Sequence, residues 1–88
     1  MRYDDYPPQY RQMFQKAVRE PVILDFTTKA KAIAFRVELY TYRYSVRDSL
    51  PGTKNLYEIV MAIKMSIKGK NLTLTIKKDK FVEKLNER

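Results

Sequence analysis

The chain has 88 residues, of which 44% are apolar and 32% charged, with a formal net charge of +8 and neither cysteine nor histidine. That length is one domain, 1–88, able to bury only about 60–65% of the surface its unfolded form exposes, and the composition is that of a folded rather than a disordered chain. The missing cysteine and histidine exclude disulfides, thiolate nucleophiles, cysteine–histidine zinc sites and imidazole acid–base chemistry.

Residues 1–6 precede the first element and are expected to be mobile. The run "PPQYRQMFQKAVREP" carries helix punctuation at both ends. Paired prolines suit a first turn, where a missing N–H costs little, and Pro21 blocks continuation. Between them Tyr10, Met13, Phe14, Ala17 and Val18 repeat at the spacing of one apolar face, which predicts a helix over 8–19. "VILDFT" is β-branched and aromatic and predicts a strand directly after Pro21.

The next run, "TTKAKAIAFRVELYTYRYSVRDS", fits two templates. Alternation holds from Ile33 to Tyr40 and then fails, whereas Ala30, Ile33, Ala34, Val37, Tyr40, Thr41 and Tyr44 form one continuous helical stripe with Thr28 as N-cap. The run is also far longer than a usual strand, so a helix over 29–47 is predicted. Its far side carries a second apolar group, Phe35, Leu39, Tyr42 and Val46, and one flank carries Lys29, Arg36, Arg43 and Arg47. A helix apolar on two sides is not a simple surface helix. The second group lies either under helix 1 or against another protein chain, and its four residues are the candidate protein interface. If that other chain is a second copy, the protein is a homodimer.

After a loop at "SLPGTKN", the run "LYEIVMAIKMSIKGKNLTLTIKK" has apolar residues at every odd position from Tyr57 to Ile67, the period of a strand. A two-residue turn at Gly69-Lys70 pairs Ile67 with Leu72, Met65 with Leu74 and Ile63 with Ile76. The other face of that hairpin collects Lys64, Ser66, Lys68, Thr73, Thr75 and Lys77. "DKFVEKLNER" closes the chain as a short helix capped by Asp79, with Phe81, Val82 and Leu85 as its apolar side. The expected fold is α+β, in the order α-β-α-β-β-α. A small three-stranded, mainly antiparallel sheet packs helices on one face, and its inner side is built from Val22, Leu24, Phe26, Ile59, Met61, Ile63, Met65, Leu72, Leu74 and Ile76.

Two glycines are too few for a phosphate-binding glycine loop, and the carboxylates show no metal-site spacing, so neither a cofactor nor a catalytic residue is expected and the chain reads as non-enzymatic. No apolar run reaches the roughly 18 residues of a membrane span, and a cytoplasmic location is expected. The charge excess falls mostly in residues 49–88, with nine Lys/Arg against four Asp/Glu. Such a field favours polyanions or an acidic protein surface. Sequence-tolerant DNA or RNA binding is the leading expectation, with Lys64, Lys68, Lys70 and Lys77 on phosphates, Arg36, Arg43 and Arg47 as a second patch, and Tyr3, Tyr6, Tyr42 or Tyr57 as stacking surfaces if exposed. The alternative is a protein-binding modulator or inhibitor of a host enzyme, docking through Phe35, Leu39, Tyr42 and Val46 beside Arg36 and Arg43.

The run "LDFTTKAKAIAFRVELYTYRYSVRDS", with the later strand "LTLTIKK", resembles small uncharacterised accessory proteins of tailed bacteriophages. The likeness rests on a strand ending in threonine that leads into an alanine- and arginine-bearing helix with an "LY-x-x-R" core, here Leu39, Tyr40 and Arg43, and it covers about half the chain. The resemblance implies an accessory viral protein acting in the host cytoplasm on DNA or on a host enzyme, and it brings no catalytic residue.

Overall fold

The computed structural model describes residues 2–77. A 3-10 turn, Tyr3–Asp5, precedes α1 (Pro8–Ala17), β1 (Val22–Asp25), α2 (Lys29–Asp48), α3 (Lys54–Met61), β2 (Ile63–Lys68) and β3 (Asn71–Ile76). The class is α+β. The three strands form one antiparallel sheet in the order β1-β3-β2, so the last strand of the sequence is the central one. The expected helix at 79–88 lies outside the described residues.

Helix α1 begins at its prolines as expected, and the N–H groups of Arg19 and Glu20 both close onto the Lys16 carbonyl, ending the helix two residues earlier than 8–19. It buries Tyr10, Phe14 and Ala17. Helix α2 covers the whole expected segment, and the Thr28 hydroxyl accepts the Lys31 N–H at 3.2 Å as its cap. The hairpin register is the expected one: Ile67 opposite Leu72, Met65 opposite Leu74 and Ile63 opposite Ile76. Gly69 takes φ 59°, the left-handed region its turn requires.

Two expectations are overturned. The long strand read from Tyr57 begins only at Ile63, and Lys54–Met61 is helical. The reason is the length of its partner. A two-residue turn followed by a strand ending at Ile76 leaves pairing only as far back as Ile63, and residues upstream must satisfy their own N–H and C=O groups, which a helix does. Leu56, Tyr57, Ile59, Val60 and Ile63 also fit helical spacing, and Val60 is fully buried, while Met61 faces outward rather than lining the sheet.

The second correction concerns the two apolar sides of α2. Leu39, Tyr42 and Val46 are buried within the chain and Phe35 packs against them, so the candidate protein interface is core. Rings of α1 cover it: Tyr10 meets Phe35 and Tyr42 edge-on at 5.5 and 5.8 Å, and Phe14 stacks on Tyr42 at 6.0 Å. Phe26 and Tyr6 extend this aromatic row at its two ends. The other side, with Ile33, Val37 and Tyr44, is turned to solvent. Area decides between them, because the aromatic and leucine side removes more apolar surface from water than the side interrupted by Ala30 and Ala34.

Candidate nucleic-acid interface

All three helices touch the sheet, and Leu72, Leu74, Ile63 and Met65 are the buried side chains of its hairpin. Side chains alternate across a strand, so the residues between them point to the other face. There Lys64 stands opposite Thr75, Ser66 opposite Thr73, and Lys68 opposite Asn71, with Ile23 and Asp25 of β1 flanking Thr73 and Asn71. Lys64 and Lys68 are exposed, and among the described residues no helix covers this face. At roughly 3.3 Å per residue the two lysines are about 13 Å apart along β2, comparable to the axial rise of about four base pairs of a duplex.

Lys70 sits in the turn at one end of that face, its carbonyl accepting the Phe26 N–H and its side chain exposed. Lys77 follows β3 at the other end, half-buried, its N–H donated to the Ala62 carbonyl at 2.8 Å. A surface cavity of about 370 Å³ opens there between the α1–β1 connection and the sheet, and Arg19, Glu20, Lys64, Thr75 and Lys77 are among the residues lining it. Arg19 thereby joins Lys64, which sequence reasoning missed. The available signal was Pro21: it blocks any continuation of α1 and turns the chain onto the sheet two residues after Arg19.

The second patch does not form as expected. The Arg43 guanidinium is half-buried, donates Nη2–H to the Ile63 carbonyl at 3.0 Å and lies over the Tyr40 ring at 5.2 Å. Burial pulls it below its ordinary pKa. It therefore closes the outer edge of β2 where the strand begins, a structural task. Arg36 is also half-buried, and the Nε atoms of Arg36 and Arg43 are both buried without a hydrogen-bond partner. Only Arg47 is exposed, 3.6 Å from the Asp48 carboxylate and over the Tyr44 ring at 5.0 Å.

The proposed stacking tyrosines are likewise elsewhere. Tyr42 is buried, Tyr6 lies edge-on against it at 5.3 Å and donates its hydroxyl to Thr41 at 3.3 Å, and Tyr3 packs beside them. These contacts set Tyr3 and Tyr6 against the core beside α2. Among the described residues the outer sheet face carries no aromatic side chain, so its strands offer cations, hydroxyls and an amide but no stacking platform. Such groups can give charge-assisted and neutral hydrogen bonds to anionic oxygens.

Among the described residues no helix is long and apolar enough to cross a membrane. Compared with known protein families, curated proteins and solved structures, the chain matches none.

Proposed function

We propose that this is a non-enzymatic, sequence-tolerant nucleic-acid-binding protein that meets the phosphate backbone with the outer face of its sheet. The observation that carries the reading is the uncovered face itself: Lys64 and Lys68, with Lys70 at its turn, are interleaved with Ser66, Asn71, Thr73 and Thr75 on a chain of net charge +8. Cations hold the backbone by counterion release, and hydroxyl and amide donors between them fix its position without reading bases. Asp25 beside Asn71 bounds the patch on the β1 side. With no ring among the described residues of the face to stack a base, duplex and single strand are held through the same phosphates.

Titration of labelled single- and double-stranded oligonucleotides, DNA and RNA, at two salt concentrations tests this. Each phosphate neutralised contributes a slope of about 0.7 for single strands or 0.9 for duplex DNA in log affinity against log salt. Replacing Lys64 and Lys68 together by glutamine is expected to reduce the slope by about 1.4 to 1.8, with little change among base sequences. Binding without a salt slope, or a slope the double variant leaves intact, overturns the reading.

A further inference from the structure

Helix α2 turns an apolar stripe to solvent. Ile33, Val37 and Tyr44 are 38%, 54% and 52% exposed, and Ala30, Ala34 and Thr41 lie exposed among them. The Tyr6 hydroxyl reaches this face at Thr41 and Tyr40 is half-buried at its edge, while Ile33, Val37 and Tyr44 stand open. The spacing is a heptad. With Ala30 at position a, the a and d positions are Ala30, Ile33, Val37, Tyr40, Tyr44 and Arg47, a seam for a second helix that is apolar until its last position, where Arg47 stands. The buried side chains Ala32, Leu39 and Val46 fall at c, on the side of the helix away from that seam. A 20-residue helix is about 30 Å long, so the seam accommodates a partner of roughly three heptads.

The flanks state the partner's charge. The g positions are Lys29, Arg36 and Arg43, and the e positions are Ala34, Thr41 and Asp48. One border is wholly basic and the other has a single carboxylate. The arginines are held in place: Arg43 over Tyr40 and Arg47 over Tyr44, the pairing of aromatic ring and guanidinium in which interface centres are enriched. In an antiparallel self-pair the g positions meet their own mates, basic against basic. A parallel self-pair sets Arg43 opposite Asp48 but leaves Lys29 and Arg36 opposite Ala34 and Thr41. Neither arrangement neutralises the whole border, and each brings together two chains of charge +8.

We infer that this stripe is a docking surface for an acidic amphipathic helix of another protein, apolar at its a and d positions and bearing glutamate or aspartate beside Lys29, Arg36 and Arg47. The surface is on α2, apart from the outer sheet face, and stands independently of the nucleic-acid reading.

The probe is a labelled 21-residue peptide with leucine at a and d and glutamate at e and g, whose own charge keeps it from self-pairing, set beside the same peptide with lysine at e and g. Fluorescence anisotropy is expected to show the acidic peptide binding at least tenfold more tightly than the basic one. The Val37→Gln/Tyr44→Gln variant is expected to weaken it at least tenfold with its circular dichroism unchanged, and Lys64→Gln/Lys68→Gln to leave it within twofold of wild type. If the double variant loses helical signal, Val37→Gln alone carries the comparison. The inference is overturned by failure of the acidic peptide to bind, by equal binding of the basic peptide, or by binding that the α2 variant leaves intact. A concentration-dependent dimer that Val37→Gln/Tyr44→Gln abolishes would assign the stripe to a second copy and overturn it too.

Discussion

Tyr10 shows how one side chain couples the core to pH. Burial first, and then the neighbouring Glu38 carboxylate, push its hydroxyl from 10.0 up to about 12. Burial also raises Tyr42, with Arg11 partly opposing. A group whose folded pKa is raised contributes its stability in full below the unfolded pKa and loses it as pH rises through the folded one. The fold is therefore expected to hold steady up to about pH 10 and to weaken between about 10 and 12, the window set by Tyr10. Spectrophotometric titration of tyrosinate alongside circular dichroism reads this directly: late-titrating tyrosines should ionise together with loss of structure. Tyr10→Phe keeps the ring contacts to Phe35 and Tyr42 and should flatten the alkaline loss. Tyrosines that all ionise near 10 with the fold intact would contradict the assignment.

At the level of single elements, α2 offers the sharpest contrast. Leu39 and Val37 are two residues apart, one fully buried and the other 54% exposed. Leu39→Ala is expected to cost about 2 to 5 kcal/mol and Leu39→Glu to unfold the chain, while Val37→Glu should change stability by about 0.5 kcal/mol or less. Urea denaturation of the three variants measures the difference, and a tolerated Leu39→Glu would refute the packing of α1 on α2. Two local devices are expected to show smaller effects in the same measurement. Thr28→Ala removes the α2 cap, worth about 1 kcal/mol. Gly69→Ala meets no atom within 4 Å, so its cost, about 1 to 2 kcal/mol, comes from the left-handed backbone alone. The cap, the helix punctuation and the turn were all legible in the sequence, because each depends on a side chain and its near neighbours. The strand that became α3 was not, since Tyr57, Ile59 and Met61 satisfy period two while Leu56, Tyr57, Ile59 and Val60 satisfy the helical period equally well.

For the molecule as a whole, the arrangement separates two surfaces. Sheet and helix layers set Lys64 and Lys68 on one face, while the Val37 and Tyr44 stripe lies on α2. Substitutions on surfaces that share no partners are expected to add. The four-site variant combining Lys64→Gln, Lys68→Gln, Val37→Gln and Tyr44→Gln should therefore lose oligonucleotide and acidic-peptide affinity by the same factors as the separate pairs. Parallel titrations check it, and a departure of more than about twofold in either factor would show that the surfaces are coupled.

The sequence by itself determined the class, the first two helices, the hairpin register and the cationic side of the hairpin. All of these follow from periodicity and turn chemistry within a few residues. Only the tertiary structure decided which apolar side of α2 is core, because that depends on Tyr10 and Phe14 arriving from another element to cover Phe35, Leu39, Tyr42 and Val46. It also decided which cations are available. Arg43 is drawn to the Ile63 carbonyl at the sheet edge, and Arg19 is carried to Lys64 by the turn at Pro21. Local pattern names the residues that must be buried or charged, but their neighbours across the fold determine which of them stay accessible.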